Sequence, residues 1–100
     1  MVTPPAFDDL IHAPNRLQIT AMLAPVEALD FATVRETLQI SDSVLSKHVR
    51  VLVEAGYVRA TKTPHGSRTR TWLTLTPEGR SALDGHLTEL RRIAAMASTR

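Results

Sequence analysis

The chain has 100 residues, 43% of them hydrophobic, with no cysteine and a formal net charge of +2. This length predicts one compact domain over residues 1–100, and the lack of cysteine excludes disulfides, thiolate metal sites and a cysteine nucleophile. No apolar run approaches the roughly 18 residues of a membrane span, and the first residues do not form a secretory signal. We therefore expect a cytoplasmic protein without membrane contact.

Positive charge is concentrated in one segment of the chain. Between Ser43 and Trp72 the balance of basic over acidic residues is +5, whereas the remaining residues have a balance of −3. A basic segment on a mildly acidic body is the expected footprint of a phosphate-binding surface.

Two helices are predicted at the N-terminal end. Phe7, Leu10 and Ile11 have the i, i+3, i+4 spacing of a short helix, which should end before Pro14. Pro14 suits the first position of a second helix that continues to Ala24. Because this second helix is apolar nearly all round, we expect it to be central and buried.

A helix-turn-helix is predicted next. Leu29 suits a short strand, and Asp30 suits an N-cap for a helix that continues to about Leu38. Ser41 follows after two residues and caps an amphipathic helix over 41–55. The inward stripe of that helix consists of Leu45, Val49 and Leu52. Two short helices joined by so short a turn are typical of the helix-turn-helix.

The outer face of helix 41–55 is polar. It is formed by Ser43, Ser46, Lys47 and Arg50. Hydroxyls near the start and cations further along suit a helix in a DNA major groove, although a solvated face has the same pattern. Arg50 is the stronger candidate for reading guanine, followed by Lys47. The two serines suit phosphate or mixed contacts.

Residues 57–75 predict a β-hairpin, with strands 57–62 and 70–75 around a loop at 64–67 that contains proline and glycine. Its candidate DNA contacts are Lys62, His65, Arg68 and Arg70. Arg68 is a stronger candidate than Arg70 because it lies closer to the tip, and Lys62 and His65 are weaker candidates.

A final helix is predicted from Pro77, capped by Thr76, to about Ser98. Leu83, Leu87, Leu90, Ala94 and Ala97 form a heptad seam along it. One small domain offers little surface to cover the far end of this helix, so we expect a dimer interface there. The predicted interface residues are Phe7, Leu10, Ile11, Leu87, Leu90, Ile93, Ala94 and Ala97. Alternatively, the helix folds back onto the N-terminal segment of its own chain.

This layout and several stretches resemble the small single-domain MarR/ArsR-type winged helix-turn-helix transcriptional regulators. The matching stretches are His12–Leu17, Leu29–Phe31, Leu45–Val49, Leu52–Val58, Arg70–Trp72 and Leu75–Arg80. The resemblance implies a mainly α fold with a β-hairpin wing (α+β) and a DNA-binding core over about residues 14–76. Residues 1–13 and 77–98 would serve dimerisation. One difference is the wing tip, where His65-Gly66-Ser67-Arg68 replaces the Asp-Arg pair of many MarR-type proteins.

The resemblance implies a double-stranded DNA-binding regulator, a repressor that binds a palindromic operator as a homodimer. Helix 41–55 would enter the major groove, and the 57–75 hairpin would act as the wing. A winged-helix module for protein interaction is the alternative, because fold does not fix function, but such a module needs no basic hairpin. A small-molecule effector is compatible with this class, and the sequence identifies none.

No catalytic residue, metal site or cofactor is predicted. The chain has no nucleophile elbow and no phosphate-binding glycine loop, so an enzyme is the least favoured class. Asp84-Gly85-His86, followed by Glu89, matches one half of an ArsR-type metal site, but a second histidine pair is missing.

Four further residues suit structural roles. We expect His48 to be partly buried and hydrogen-bonded to the backbone, and His12 to support the proline break beside it. Trp72 and Phe31 are expected to be packing residues, since only four aromatic residues are available to build a ligand pocket.

Overall fold

The computed structural model describes residues 4–98 and forms a winged helix-turn-helix, mainly helical with a β-hairpin wing, as the sequence predicts. Its elements are α1 (Asp9–His12), α2 (Pro14–Leu23), β1 (Leu29–Asp30), α3 (Phe31–Leu38), α4 (Asp42–Glu54), β2 (Val58–His65), β3 (Arg68–Leu75) and α5 (Pro77–Ala97).

Side-chain caps begin four of these five helices. The capping oxygens belong to Asp8, Asp30, Ser41 and Thr76, each of which accepts from the backbone N–H three residues further on. Helix α2 instead begins with Pro14 at its first position. The turn between α3 and α4 is tight because Gln39 adopts the left-handed region, with φ of 55°.

The sheet has three antiparallel strands in the order β1-β3-β2. The wing, which we define as the β2–β3 hairpin, is longer than predicted: β2 continues to His65 and β3 begins at Arg68. The predicted loop at 64–67 is therefore too long: Pro64 pairs with Thr69 and His65 with Arg68 inside the sheet, and the turn is limited to 66–67. A proline is tolerated there because β2 is an edge strand.

One hydrophobic core joins the helices to the sheet. Its fully or almost fully buried members are Ile11, Ile19, Leu23, Val34, Leu45, Val49, Leu52, Val58, Leu73, Leu75 and Leu83. Helix α2 is central, as predicted, since it contacts α1, α3, α4, α5 and β3. Ile11, predicted at a dimer interface, is instead fully buried in this chain's own core, because α1 packs against α2 and α5.

Helix α5 is covered by the domain only along its first half. Gly79, Leu83, Gly85 and His86 are buried, whereas residues 91–98 are all exposed. A helix of 21 residues is about 30 Å long, and the molecule measures 59 × 28 × 21 Å, so α5 projects well beyond the core. Within residues 4–98 we find no helix with the length and apolar character needed to span a membrane.

Candidate nucleic-acid interface

The outer face of α4 is open to solvent as predicted from its periodicity. Ser43, Ser46, Lys47 and Arg50 are exposed, while the inward stripe of the same helix is buried. Neither Lys47 nor Arg50 forms an ion pair with any residue between 4 and 98. Their charges are therefore available to a partner.

Helix α4 and the wing share a surface cleft of about 400 Å³, which we call the α4–wing cleft. Its lining residues are Phe31, Ser46, Val49, Arg50, Val53, Lys62 and Thr71. The cleft brings Ser46 and Arg50 of the helix together with Lys62 of the wing. Cations from both elements therefore contribute to one basic surface, as is typical of nucleic-acid-binding proteins. Ser43 and Lys47 lie on the outer face of α4 but do not line this cleft.

A second cleft, the α3–wing cleft, lies between the start of α3 and the hairpin and has a volume of about 360 Å³. His65, Arg68 and Arg70 line it, together with Arg35 of α3. Arg35 is a cation that sequence reasoning missed. It pairs with Asp42 at 2.7 Å and with Glu36 at 3.3 Å, so its charge is largely compensated within the chain.

Arg70 differs from the other cations of the wing. Its Nε atom lies 3.5 Å from Asp30 Oδ2, and its guanidinium carbon lies 5.4 Å from the centre of the Trp72 ring. Lys62, His65 and Arg68 are exposed and take part in no ion pair within residues 4–98. Within residues 4–98, Arg70 is therefore the only predicted wing contact that already pairs with another side chain of the protein.

His48 connects the inner flank of α4 to α2. Arg16 Nη1 donates to His48 Nδ1 at 3.2 Å, and Arg16 Nε donates to the Leu10 carbonyl at 2.6 Å. The predicted backbone hydrogen bond of His48 is thus wrong: its partners are the side chains of Arg16 and, at 3.5 Å, Asn15. Burial, followed by the charges of Arg16 and Lys47, lowers the pKa of His48, which favours the neutral ring.

His86 of the Asp-x-His motif faces the N-terminal segment of its own chain. It is fully buried, and its Nδ1 accepts the Asp8 N–H at 3.0 Å. Nε2 must therefore carry the proton that is donated to His12 Nδ1, 3.1 Å away. Phe7 packs on both imidazole rings. Within residues 4–98 no group of three histidine or carboxylate side chains could hold a metal ion.

The Asp8 carboxylate links the N-terminal segment to the turn between α4 and β2, a contact that sequence reasoning missed. Tyr57 Oη donates to Asp8 Oδ2 at 2.6 Å, and this bond, with burial, raises the pKa of Tyr57 to about 12. Ala6 N–H also donates to the Gly85 carbonyl at 3.0 Å. The N-terminal segment thus folds onto the first half of α5 in the same chain.

The predicted dimer residues fall into three groups. Ile11 is in the core, and Leu10 and Leu87 are half-buried against it. Leu90 is half-buried further along α5. The remaining four, Phe7, Ile93, Ala94 and Ala97, are exposed, with 45% exposure for Phe7 and 42% for Ile93.

The chain matches the family model of the winged helix DNA-binding domain over residues 15–94. An uncharacterized protein of Methanocaldococcus jannaschii is 29% identical over 79 residues, which are 79% of this chain and 86% of that protein. A solved transcriptional regulator homologue from Pyrococcus horikoshii OT3 is similar with a TM-score of 0.83 and 26% identity, over 90% of this chain and 89% of that one. PcaV, a transcriptional regulator from Streptomyces coelicolor solved with its natural ligand, gives a TM-score of 0.75 at 22% identity, over 94% and 67% of the two chains.

Proposed function

The chain belongs to the family of winged helix DNA-binding domains, and on that premise we propose that it is a transcriptional repressor that binds a palindromic operator as a homodimer. The observation that carries the proposal is the α4–wing cleft, where Ser46 and Arg50 of the helix and Lys62 of the wing share one basic surface. The description of the Pyrococcus horikoshii protein as a transcriptional regulator homologue supports the regulatory role. We also propose a cytoplasmic location.

The first test is the salt dependence of binding to duplex DNA. Each neutralised phosphate releases counterions, so a dimer that makes about six phosphate contacts should give a slope near −5 for log K against log salt. Fluorescence anisotropy of a labelled duplex over a salt series measures the slope. No binding at low salt, or a slope near zero, would leave the protein-interaction module as the better function.

Arg50 and Arg68 should differ in what they contribute to binding. We assign Arg50 to a base edge, because its guanidinium can form a bidentate pair with guanine O6 and N7, and Arg68 to phosphate. The Arg50→Ala variant should lose roughly 1–3 kcal/mol on the operator and relax the preference at particular base pairs. The Arg68→Ala variant should weaken all sequences evenly.

These variants are compared on an operator selected from random DNA and on a scrambled duplex. Arg80→Ala is the matched control, since Arg80 is an exposed cation in the first turn of α5, at the opposite end of β3 from the wing tip. It removes the same charge and should bind like the wild type. Equal losses for Arg50→Ala on both duplexes would remove Arg50 as a base reader.

The homodimer is proposed from the far half of α5. Leu90, Ile93, Ala94 and Ala97 lie on one side of this helix, beyond the part that the core covers. Exposed Phe7 extends the apolar surface at the near end. In a two-fold dimer this face would pack against its own copy and place two α4 helices about one DNA turn apart, or a small multiple of it.

Sedimentation at micromolar concentration tests the dimer. Ile93→Glu places a charge in the proposed interface and should give monomers with much weaker operator binding. Thr88→Glu adds the same charge on the opposite side of α5 and is the control. A wild-type monomer of 11.0 kDa would refute the dimer.

PcaV was solved with its natural ligand, and by analogy we propose that a small molecule regulates DNA binding by this chain as well. A ligand screen that follows release of the labelled duplex tests this proposal.

A further inference from the structure

Asp30 lies where the helix-turn-helix meets the wing. Its Oδ1 accepts the Thr33 N–H at 2.9 Å and so caps α3, while its Oδ2 lies 3.5 Å from Arg70 Nε. In the β1–β3 ladder Asp30 is also paired with Trp72. One carboxylate thus connects the start of α3 to the middle of β3.

Arg70 continues this connection across the sheet. Its guanidinium lies 5.4 Å from the centre of the Trp72 ring, and Trp72 Nε1 donates to Thr63 Oγ1 at 3.2 Å. The Thr63 hydroxyl in turn donates to the Arg70 carbonyl at 3.5 Å. The contacts of one arginine therefore involve all three strands as well as the cap of α3.

Arg68 provides a natural comparison. Residues two apart on a strand project from the same face, so Arg68, Arg70 and Trp72 form one row on β3. Arg68 is exposed and forms no ion pair within residues 4–98, whereas the charge of Arg70 is compensated by Asp30. A phosphate that bound Arg70 would have to compete with this carboxylate.

We propose that Arg70 is a positioning residue that holds the wing at a fixed angle to α3 and α4, and that Arg68 contacts the DNA phosphate in its place. This inference rests on the proposed DNA-binding function and assigns separate roles to two cations that the sequence ranks only by their distance from the wing tip. Without the Asp30–Arg70–Trp72 contacts, the angle of the wing relative to α3 and α4 would no longer be fixed. Binding to every DNA sequence would then weaken.

The number of ions released on binding separates the two roles. Arg68→Gln should lower the steepness of log K against log salt by about 0.9 for each protomer, because a phosphate contact is lost. Arg70→Gln should weaken binding about fivefold per protomer, the scale of one exposed ion pair or cation–π contact, and leave the slope unchanged. Arg70→Lys keeps the charge, and its ammonium can still pair with Asp30 without the planar fork of the guanidinium, so it should recover part of the affinity that Arg70→Gln loses.

The Asp30→Asn variant tests the ion-pair partner of Arg70. Asparagine caps a helix as well as aspartate does, so α3 is preserved while the ion pair is lost. This variant should lose affinity but no more than Arg70→Gln, which also loses the Trp72 contact, and the double variant should bind no more weakly than Arg70→Gln alone, since both changes break the same ion pair. Cooperative unfolding, followed by the fluorescence of Trp72, the single tryptophan, establishes that each variant is folded.

Three results would overturn the inference while the proposed function stands: a less steep salt dependence for Arg70→Gln, full affinity for Arg70→Gln, or unchanged or tighter binding for Asp30→Asn. A wild-type protein that shows no salt-dependent binding would overturn both. The two failures are therefore distinguishable in the same titration series.

Discussion

Replacing Gly79 with alanine should destabilise the domain, because the first turn of α5 lies directly against the backbone after α4. An added Cβ would overlap the Tyr57 carbonyl oxygen and lie 2.8 Å from Leu75 Cδ1. The Tyr57 carbonyl cannot move freely, since it accepts the Thr76 N–H at 3.0 Å. Thr76 itself is held by its hydroxyl, which donates to the Gly56 carbonyl at 2.6 Å.

The expected cost follows from three contributions. Overpacking costs roughly 1–3 kcal/mol, and loss of the hydrogen bond from Thr76 to Tyr57 costs about 0.5–1.5 kcal/mol. The higher helix propensity of alanine offsets about 1 kcal/mol of this cost. We therefore expect the free energy of unfolding to fall by about 2 kcal/mol for Gly79→Ala, which for a domain of this size lowers the Tm by about 8–16 °C.

Thermal unfolding followed by helical circular dichroism measures the effect, with Gly85→Ala as the control in the same helix. An added Cβ at Gly85 would lie 3.1 Å from Ala6 Cβ, on a surface segment rather than on core backbone. Its cost should be offset by the gain in helix propensity, leaving the Tm within a few degrees of wild type. Equal melting temperatures for the two variants would refute the assignment of Gly79 to a close backbone approach.

Two further predictions concern titrating groups. Burial lowers the pKa values of His48 and His86 from 6.5, so the unfolded chain takes up these protons first. The free energy of unfolding should therefore fall as the pH drops through 6.5 and level off about one unit above it, and denaturant midpoints that are equal about one pH unit on either side of 6.5 would contradict this. Tyr57, the only tyrosine, should ionise near 12 in the folded protein and nearer its ordinary 10.0 in Asp8→Asn, as measured by ultraviolet absorbance of the phenolate. Because the phenol of the unfolded chain ionises first, the free energy of unfolding should also fall as the pH rises above 10.0. A titration midpoint of 10.0 for Tyr57 in the wild-type protein would show that its hydrogen bond to Asp8 does not form.

Much of the fold follows from local sequence. Ser41, Asp30 and Thr76 each place a capping oxygen at a helix start, and all three cap as predicted. The polar face of α4 likewise follows from a 3.6-residue period, since neighbours three and four apart decide which side is buried. The loop that proline and glycine predicted at 64–67 is shorter in the structure, because an edge strand accepts a proline that a central strand would not.

The sequence determined the elements, their order and the candidate basic face, because caps and periodicity depend on residues within a few positions of each other. Only the tertiary structure decided which polar side chains already form hydrogen bonds or ion pairs within the described chain. The bond of Arg16 to His48 spans 32 positions and that of Asp8 to His86 spans 78. Packing also placed Arg70, but not Arg68, against Asp30. Such pairings arise when distant elements are brought together to bury their apolar faces, and no local period encodes them.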